Sequence, residues 1–180
     1  MALRGQDLKT APMPWKEGSR VHTGFVQHLS PVREELGRIV GELGDSEVVF
    51  TEDSLGAAVA TLAASLWPRA SLFTFGPPRV GDAAFGATFP VGRVAQRFVN
   101  CCDLVCRVPP EGLGFVLVGA LRYLDRNGAL RMEPTADDIR RDQRLGSWQY
   151  LTRHAWVFWR NVLTRRLAGH SPINYGAAVP

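Results

Sequence analysis

Apolar positions along this chain alternate between short β-branched or aromatic runs and longer stretches rich in alanine and leucine. Residues 47–51 read as a buried strand, residues 55–66 as a helix ended by Pro68, and residues 70–75 as a second strand ended by Gly76-Pro77-Pro78. Strand, helix and strand with short links predict a parallel pair joined by a right-handed crossover. Upstream, Val32, Leu36, Ile39, Val40 and Leu43 share one face of a helix over residues 31–43, with Ser30 as N-cap and Pro31 in the first turn. That face is expected to lie on one side of the sheet.

Further along, residues 82–88 form a short helix candidate and residues 95–100 a third strand. Residues 116–123 and 129–133 flank Asn127-Gly128, a strong signal for a tight hairpin, so the sheet is expected to gain an antiparallel edge. Residues 147–167 read as a long helix with Trp148, Leu151, Ala155, Phe158, Trp159 and Val162 on one face, stopped by Gly169. Residues 1–5 look like the stub of a strand, followed by a loop carrying Pro12, Pro14, Trp15 and Gly18. The chain shows neither an internal repeat nor a low-complexity tract.

Composition narrows this picture. At 180 residues, 46% hydrophobic and 21% charged, the chain is expected to be one globular α/β domain over residues 1–180. No run reaches the roughly 18 apolar residues of a membrane span. The first residues lack the apolar core of a secretion signal, so the default expectation is the cytoplasm, with secretion left open should the N-terminus be truncated. The net charge of +4 comes from scattered arginines, which fits a solvated surface rather than a nucleic-acid footprint. Cys101, Cys102 and Cys106 suit reduced thiols, and with no second Cys/His cluster nearby they do not suggest a metal site.

Candidate chemistry centres on Ser54, which falls on the sharp link between a predicted strand and a predicted helix. That is where a G-x-S-x-G nucleophile elbow would expose its serine; Gly56 supplies the second glycine, while Glu52 stands at the first. A serine nucleophile needs a base and an acid that orients the base. Of the four histidines, His28 lies just before a helix, His154 inside one and His22 upstream of the serine, leaving His170 as the best candidate by position. Asp103 follows a predicted strand end, whereas Asp82 opens a helix as its N-cap, Asp125 belongs to a hairpin turn and Asp137-Asp138 begin a helix. On position alone, Ser54 still reads first as a helix cap.

Six stretches in matching order carry more weight than any single position. They are Arg4-Gly5-Gln6; Val21-His22-Thr23-Gly24-Phe25; Asp53-Ser54-Leu55-Gly56-Ala57-Ala58; Phe73-Thr74-Phe75-Gly76-Pro77-Pro78-Arg79-Val80-Gly81-Asp82; Asn100-Cys101-Cys102-Asp103-Leu104-Val105; and His170 with Tyr175. Together they resemble the class 3 lipase family, which includes the fungal triacylglycerol lipases. The resemblance implies an α/β-hydrolase fold with a reduced, mostly parallel sheet, helices on both faces and the N-terminal strands largely missing. It also implies hydrolysis of acylglycerols or short-chain esters, with Ser54 as nucleophile, Asp103 as acid and His170 as base. Leu55 and Gln6 are implied as oxyanion donors. No metal or organic cofactor is implied.

Some positions depart from that family. Glu52-Asp53 replaces a Gly-His pair, and a glutamate there is expected to crowd the strained turn. Gly169 stands where an aspartate commonly precedes the histidine, and residues 6–22 are too short and proline-rich for a long amphipathic lid. These departures motivate an alternative: an impaired pseudo-hydrolase that binds acyl chains, a partner or a membrane surface. The tryptophans and arginines of residues 147–167 favour peripheral lipid contact in that case, although packing on the sheet is the plainer expectation.

Overall fold

The computed structural model of the chain describes residues 11–90, 92–132, 134–153, 170 and 175. A hairpin opens the described chain, β1 (Pro12–Pro14) antiparallel to β2 (Arg20–His22). Two helices follow, α1 (Thr23–Leu29) and α2 (Arg33–Glu42), and then β3 (Val49–Asp53), α3 (Ser54–Leu66) and β4 (Ser71–Phe75). The rest comprises α4 (Ala83–Ala87), β5 (Ala95–Asn100), β6 (Ala120–Leu124), β7 (Leu130–Met132) and α5 (Ala136–Arg153).

Strands β3 to β7 form one sheet in sequence order, with β3 to β6 parallel and β7 antiparallel to β6. The β3-α3-β4 unit is the expected crossover, and Gly128 turns the β6-β7 hairpin at φ +81°. Alternation along the strands splits the sheet into two faces. Leu72 and Ala95 join Val21, Leu29, Ala58, Leu62, Val80 and Phe85 in the main core, beneath α1 and α3. Phe98, Leu124 and Tyr175 pack with Phe73 and Phe75 in a second cluster.

Alanine at positions 57, 58, 60, 63 and 64 lets α3 settle closely on the sheet, and these residues are buried along with Leu62. Arg93 holds the far end of α3: its guanidinium donates to the carbonyls of Ala64 at 2.6 Å, Trp67 at 3.1 Å and Ala70 at 3.2 Å, and lies over the Phe89 ring. The carbonyls of Ala64 and Trp67 are among those a helix C-terminus leaves without intrahelical partners, and Ala70 lies in the link to β4.

Several sequence expectations need correction. The α2 helix does not press its apolar face on the sheet: Val32, Ile39 and Leu43 are 44%, 41% and 44% exposed, and only Leu36 packs against the core. Ser30 is not its N-cap. It closes α1 instead, its hydroxyl donating to the Val26 carbonyl at 2.8 Å, because α1 occupies residues in which no helix was expected. The predicted loop after residue 5 contains the β1-β2 hairpin, with Trp15 Nε1 donating to Ser65 Oγ at 3.0 Å. The last described helix begins at Ala136 rather than at residue 147, capped by the Thr135 hydroxyl, which accepts from the Asp138 N–H at 3.2 Å. Within it Trp148 is 68% exposed, not core. The remainder of the predicted helix lies outside the described residues.

Candidate active site

The link from β3 to α3 has no spacer. Asp53 ends the strand, and Ser54, the first helical residue, adopts φ +54°. A non-glycine residue in that left-handed region costs on the order of 1–2 kcal/mol, so the surrounding packing must hold it there. Ser54 is not the helix cap. Asp53 occupies that position, and the Ser54 hydroxyl turns away from the helix to lie 2.6 Å from His170 Nε2.

Gly56 explains how this turn tolerates Glu52. A side chain at Gly56 would place its Cβ 2.6 Å from Glu52 Oε2, so the glutamate lies over the first turn of α3 in the space the glycine leaves. Glu52 itself is exposed, and the expected crowding is thereby relieved. One elbow glycine accommodates the loss of the other.

Asp103 follows β5 in a turn closed by its own N–H, which donates to the Asn100 carbonyl at 3.1 Å. Its side chain is fully buried, and both oxygens are engaged. Oδ1 accepts from the Val105 N–H at 2.8 Å; Oδ2 lies 2.9 Å from His170 Nδ1 and accepts from the Tyr175 hydroxyl at 2.5 Å. The Tyr175 oxygen in turn accepts from the Asn100 N–H at 3.1 Å. Burial, reinforced by the negative charge of Asp103, pushes the Tyr175 phenol up, so it remains a donor at any ordinary pH. With the carboxylate accepting, the proton of neutral His170 belongs on Nδ1. Nε2 then presents its lone pair to the serine hydroxyl.

Gly76 forms the floor beneath these groups. It sits at the end of β4 with φ +56°, and a Cβ there would lie 2.6 Å from Asp103 Oδ2 and 2.9 Å from His170 Nδ1. No side chain fits. Three strand ends therefore converge, β3 carrying Ser54, β4 the empty floor and β5 Asp103.

The structure brings together Ser54, Asp103 and His170. It places Leu55 in the first turn of α3, where backbone N–H groups lack intrahelical acceptors. Gln6 lies outside the described residues. Among the other histidines, His28 is exposed in the last turn of α1, and His22 is buried, its Nδ1 accepting from the Gly24 N–H at 3.2 Å. Asp82 caps α4 by accepting from the Phe85 N–H at 2.8 Å, and Asp125 organises the β6-β7 turn. Position alone assigned no role to Tyr175 or Gly76. A glycine directly after a strand and before Pro77-Pro78 was the available signal for the second; for the first the only signal was its place beside His170 in the family resemblance.

Comparison with known proteins completes the picture. The family model described as lipase (class 3) matches residues 4–113. The chain is 33% identical over 150 residues to a lipase of Rhizomucor miehei, covering 74% of this chain and 41% of that protein. It is 34% identical over 111 residues to the secreted mono- and diacylglycerol lipase A of Penicillium cyclopium, covering 57% of this chain and 36% of that protein. The solved structure in which a serine protease triad forms the catalytic centre of a triacylglycerol lipase superposes with a TM-score of 0.62 at 26% identity, over 74% of this chain and 60% of that one. The chain thus spans less than half the length of the curated relatives it matches. With an α/β-hydrolase sheet and a matched segment running through the strand-to-helix turn at Ser54 and the aspartate after β5, the chain belongs to the class 3 lipase family.

Proposed function

We propose that this chain hydrolyses carboxylic esters of the acylglycerol class through Ser54, His170 and Asp103. The observation that carries this reading is the unbroken relay from the strained Ser54 hydroxyl through His170 to Asp103, with contacts of 2.6 Å and 2.9 Å. Ser54 attacks the ester carbonyl as His170 takes its proton on Nε2, and Asp103 stabilises the resulting imidazolium. The tetrahedral oxyanion meets the Leu55 N–H, with Gln6 as second donor, each such donor contributing roughly 3–4 kcal/mol at the transition state. Collapse returns the proton to the departing alcohol, and water repeats the sequence on the acyl-enzyme.

The described part of residues 6–22 is a tight hairpin, which supports action on short or dispersed esters without a long lid helix. No described helix is long and apolar enough to cross a membrane. The Penicillium relative is secreted by name, which favours the secretion alternative over the cytoplasmic default for this chain.

A fluorophosphonate probe tests the proposal. One equivalent of label, absent in Ser54→Ala, is the expected result. An unlabelled, folded wild-type chain overturns it in favour of a binding protein on the same fold, the reading that Glu52 and Asp53 motivate.

A further inference from the structure

The turn that presents Asp103 has two cysteines at its centre. Cys101 and Cys102 hold their sulfurs 3.4 Å apart, with Cys101 buried and Cys102 half-buried. Gly146 of α5 makes room for both: a Cβ there would lie 3.2 Å from Cys101 Sγ and 3.4 Å from Cys102 Sγ. Its hydrogen bond with Cys102 and its burial push the Cys101 thiol up, and it also interacts with Tyr123 and Asp142.

We propose that Cys101 and Cys102 form a reversible oxidation site, closing to a vicinal disulfide that disrupts the contact between Asp103 and His170. This rests on the reading of Asp103 as the triad acid. The oxidant is a peroxide. The more accessible Cys102, as thiolate, attacks one peroxide oxygen; an S–O bond forms, the O–O bond breaks, and the leaving oxygen departs as water after protonation. Cys101 sulfur then attacks the Cys102 sulfenic sulfur, forming S–S, breaking S–O and releasing a second water that carries the Cys101 proton. Two thiols lose two electrons and one peroxide gains them.

Geometry makes the site a switch rather than a staple. Adjacent Cα atoms lie about 3.8 Å apart, below the roughly 4.4–6.8 Å that disulfides usually span. The eight-membered ring is consequently strained and readily reduced. Bringing the sulfurs to about 2.05 Å twists the peptide at the middle of the turn. That peptide lies between Asn100, whose carbonyl closes the turn, and Asp103, whose carboxylate meets His170.

The test is limited peroxide treatment followed by thiol alkylation, digestion and mass spectrometry, alongside ester turnover and the imidazole nitrogen resonances of His170. Expected are a peptide containing residues 101–102 lighter by two hydrogens, a shift of the His170 resonances, and at least a tenfold loss of turnover, all reversed by dithiothreitol. Cys102→Ser should keep its resting turnover and lose all three responses, and Cys106→Ser should keep them. Separate alkylation of both thiols after peroxide, or disulfide formation with unmoved His170 resonances, overturns the proposal. A chain inactive before oxidation overturns the hydrolase reading alone, because the mass and the resonances still decide the switch.

Discussion

Tyr175 donates its hydroxyl hydrogen to Asp103 Oδ2 at 2.5 Å, the same oxygen that His170 Nδ1 reaches at 2.9 Å. One carboxylate oxygen thus serves both the proposed general base and a buried phenol, and the phenol helps fix where that oxygen lies. A hydrogen bond to a charged group contributes about 1.5–3 kcal/mol. Tyr175→Phe is therefore expected to lower kcat for a p-nitrophenyl ester by about tenfold to a hundredfold with little change in KM. An unchanged kcat would show that Val105, Cys106 and His170 hold the carboxylate without the phenol.

Gly76→Ala tests the floor. Its Cβ has no space between Asp103 and His170, and the backbone stands at φ +56°. Loss of fluorophosphonate labelling is expected, with a stability loss of roughly 1–3 kcal/mol visible in Tm. Full labelling would mean that the triad can shift around a methyl group.

Glu52 and Asp53 place two carboxylates just before Ser54 in the chain, and under the proposed mechanism their charge opposes the one that develops on the oxyanion. Glu52 is exposed, so screening reduces its effect to the lower end of about 1–4 kcal/mol per charge. Glu52→Gly with Asp53→His is expected to raise p-nitrophenyl ester turnover at least tenfold. Gly56→Ala should displace the Glu52 carboxylate, whose Oε2 its Cβ would meet at 2.6 Å, and should be better tolerated once Glu52 is glycine.

His22 gives a pH dependence of stability. Burial holds its pKa below the ordinary 6.5, and its Nδ1 must stay unprotonated to accept from the Gly24 N–H. The unfolded chain therefore binds the proton more readily than the folded one. This contribution is fully present above about pH 7 and is lost as pH falls through the depressed folded value. Losing one such hydrogen bond costs about 1 kcal/mol, or about 2–4 °C of Tm in a chain of this size. Thermal melts between pH 8 and pH 5 should show the fall, and His22→Phe should flatten it.

How much of this was legible beforehand depended on whether the signal was local. Strand β5 emerged at its observed bounds, and the 55–66 helix missed only Ser54, because apolar run, alanine content and proline stop act within a few residues. Ser54, Asp103 and His170 were candidates because each lies just after a recognisable element, and the resemblance to the class 3 lipase family carried the choice among the readings open for them. The α1 helix escaped notice because Thr23-Gly24-Phe25-Val26 has weak helix propensity and is held by packing over α3. The periodic face of α2 misled in the other direction, since periodicity tells which residues share a face but not what covers it. Tyr175 entered only beside His170 in the family resemblance, and its role stayed silent for a similar reason: its partners are 72 and 75 residues away along the chain.

The clasp of Arg93 on the end of α3 reaches further than that end. The helix has 13 residues, so the guanidinium stands roughly 20 Å from Ser54 along a rigid axis. Arg93, two residues before β5, ties carbonyls at the end of α3 and in the link to β4 to the next crossing of the chain. The end of α3 opposite Ser54 is thus held by side-chain hydrogen bonds rather than by backbone pairing alone. Ser54 stands at one end of a strut whose other end an arginine ties down.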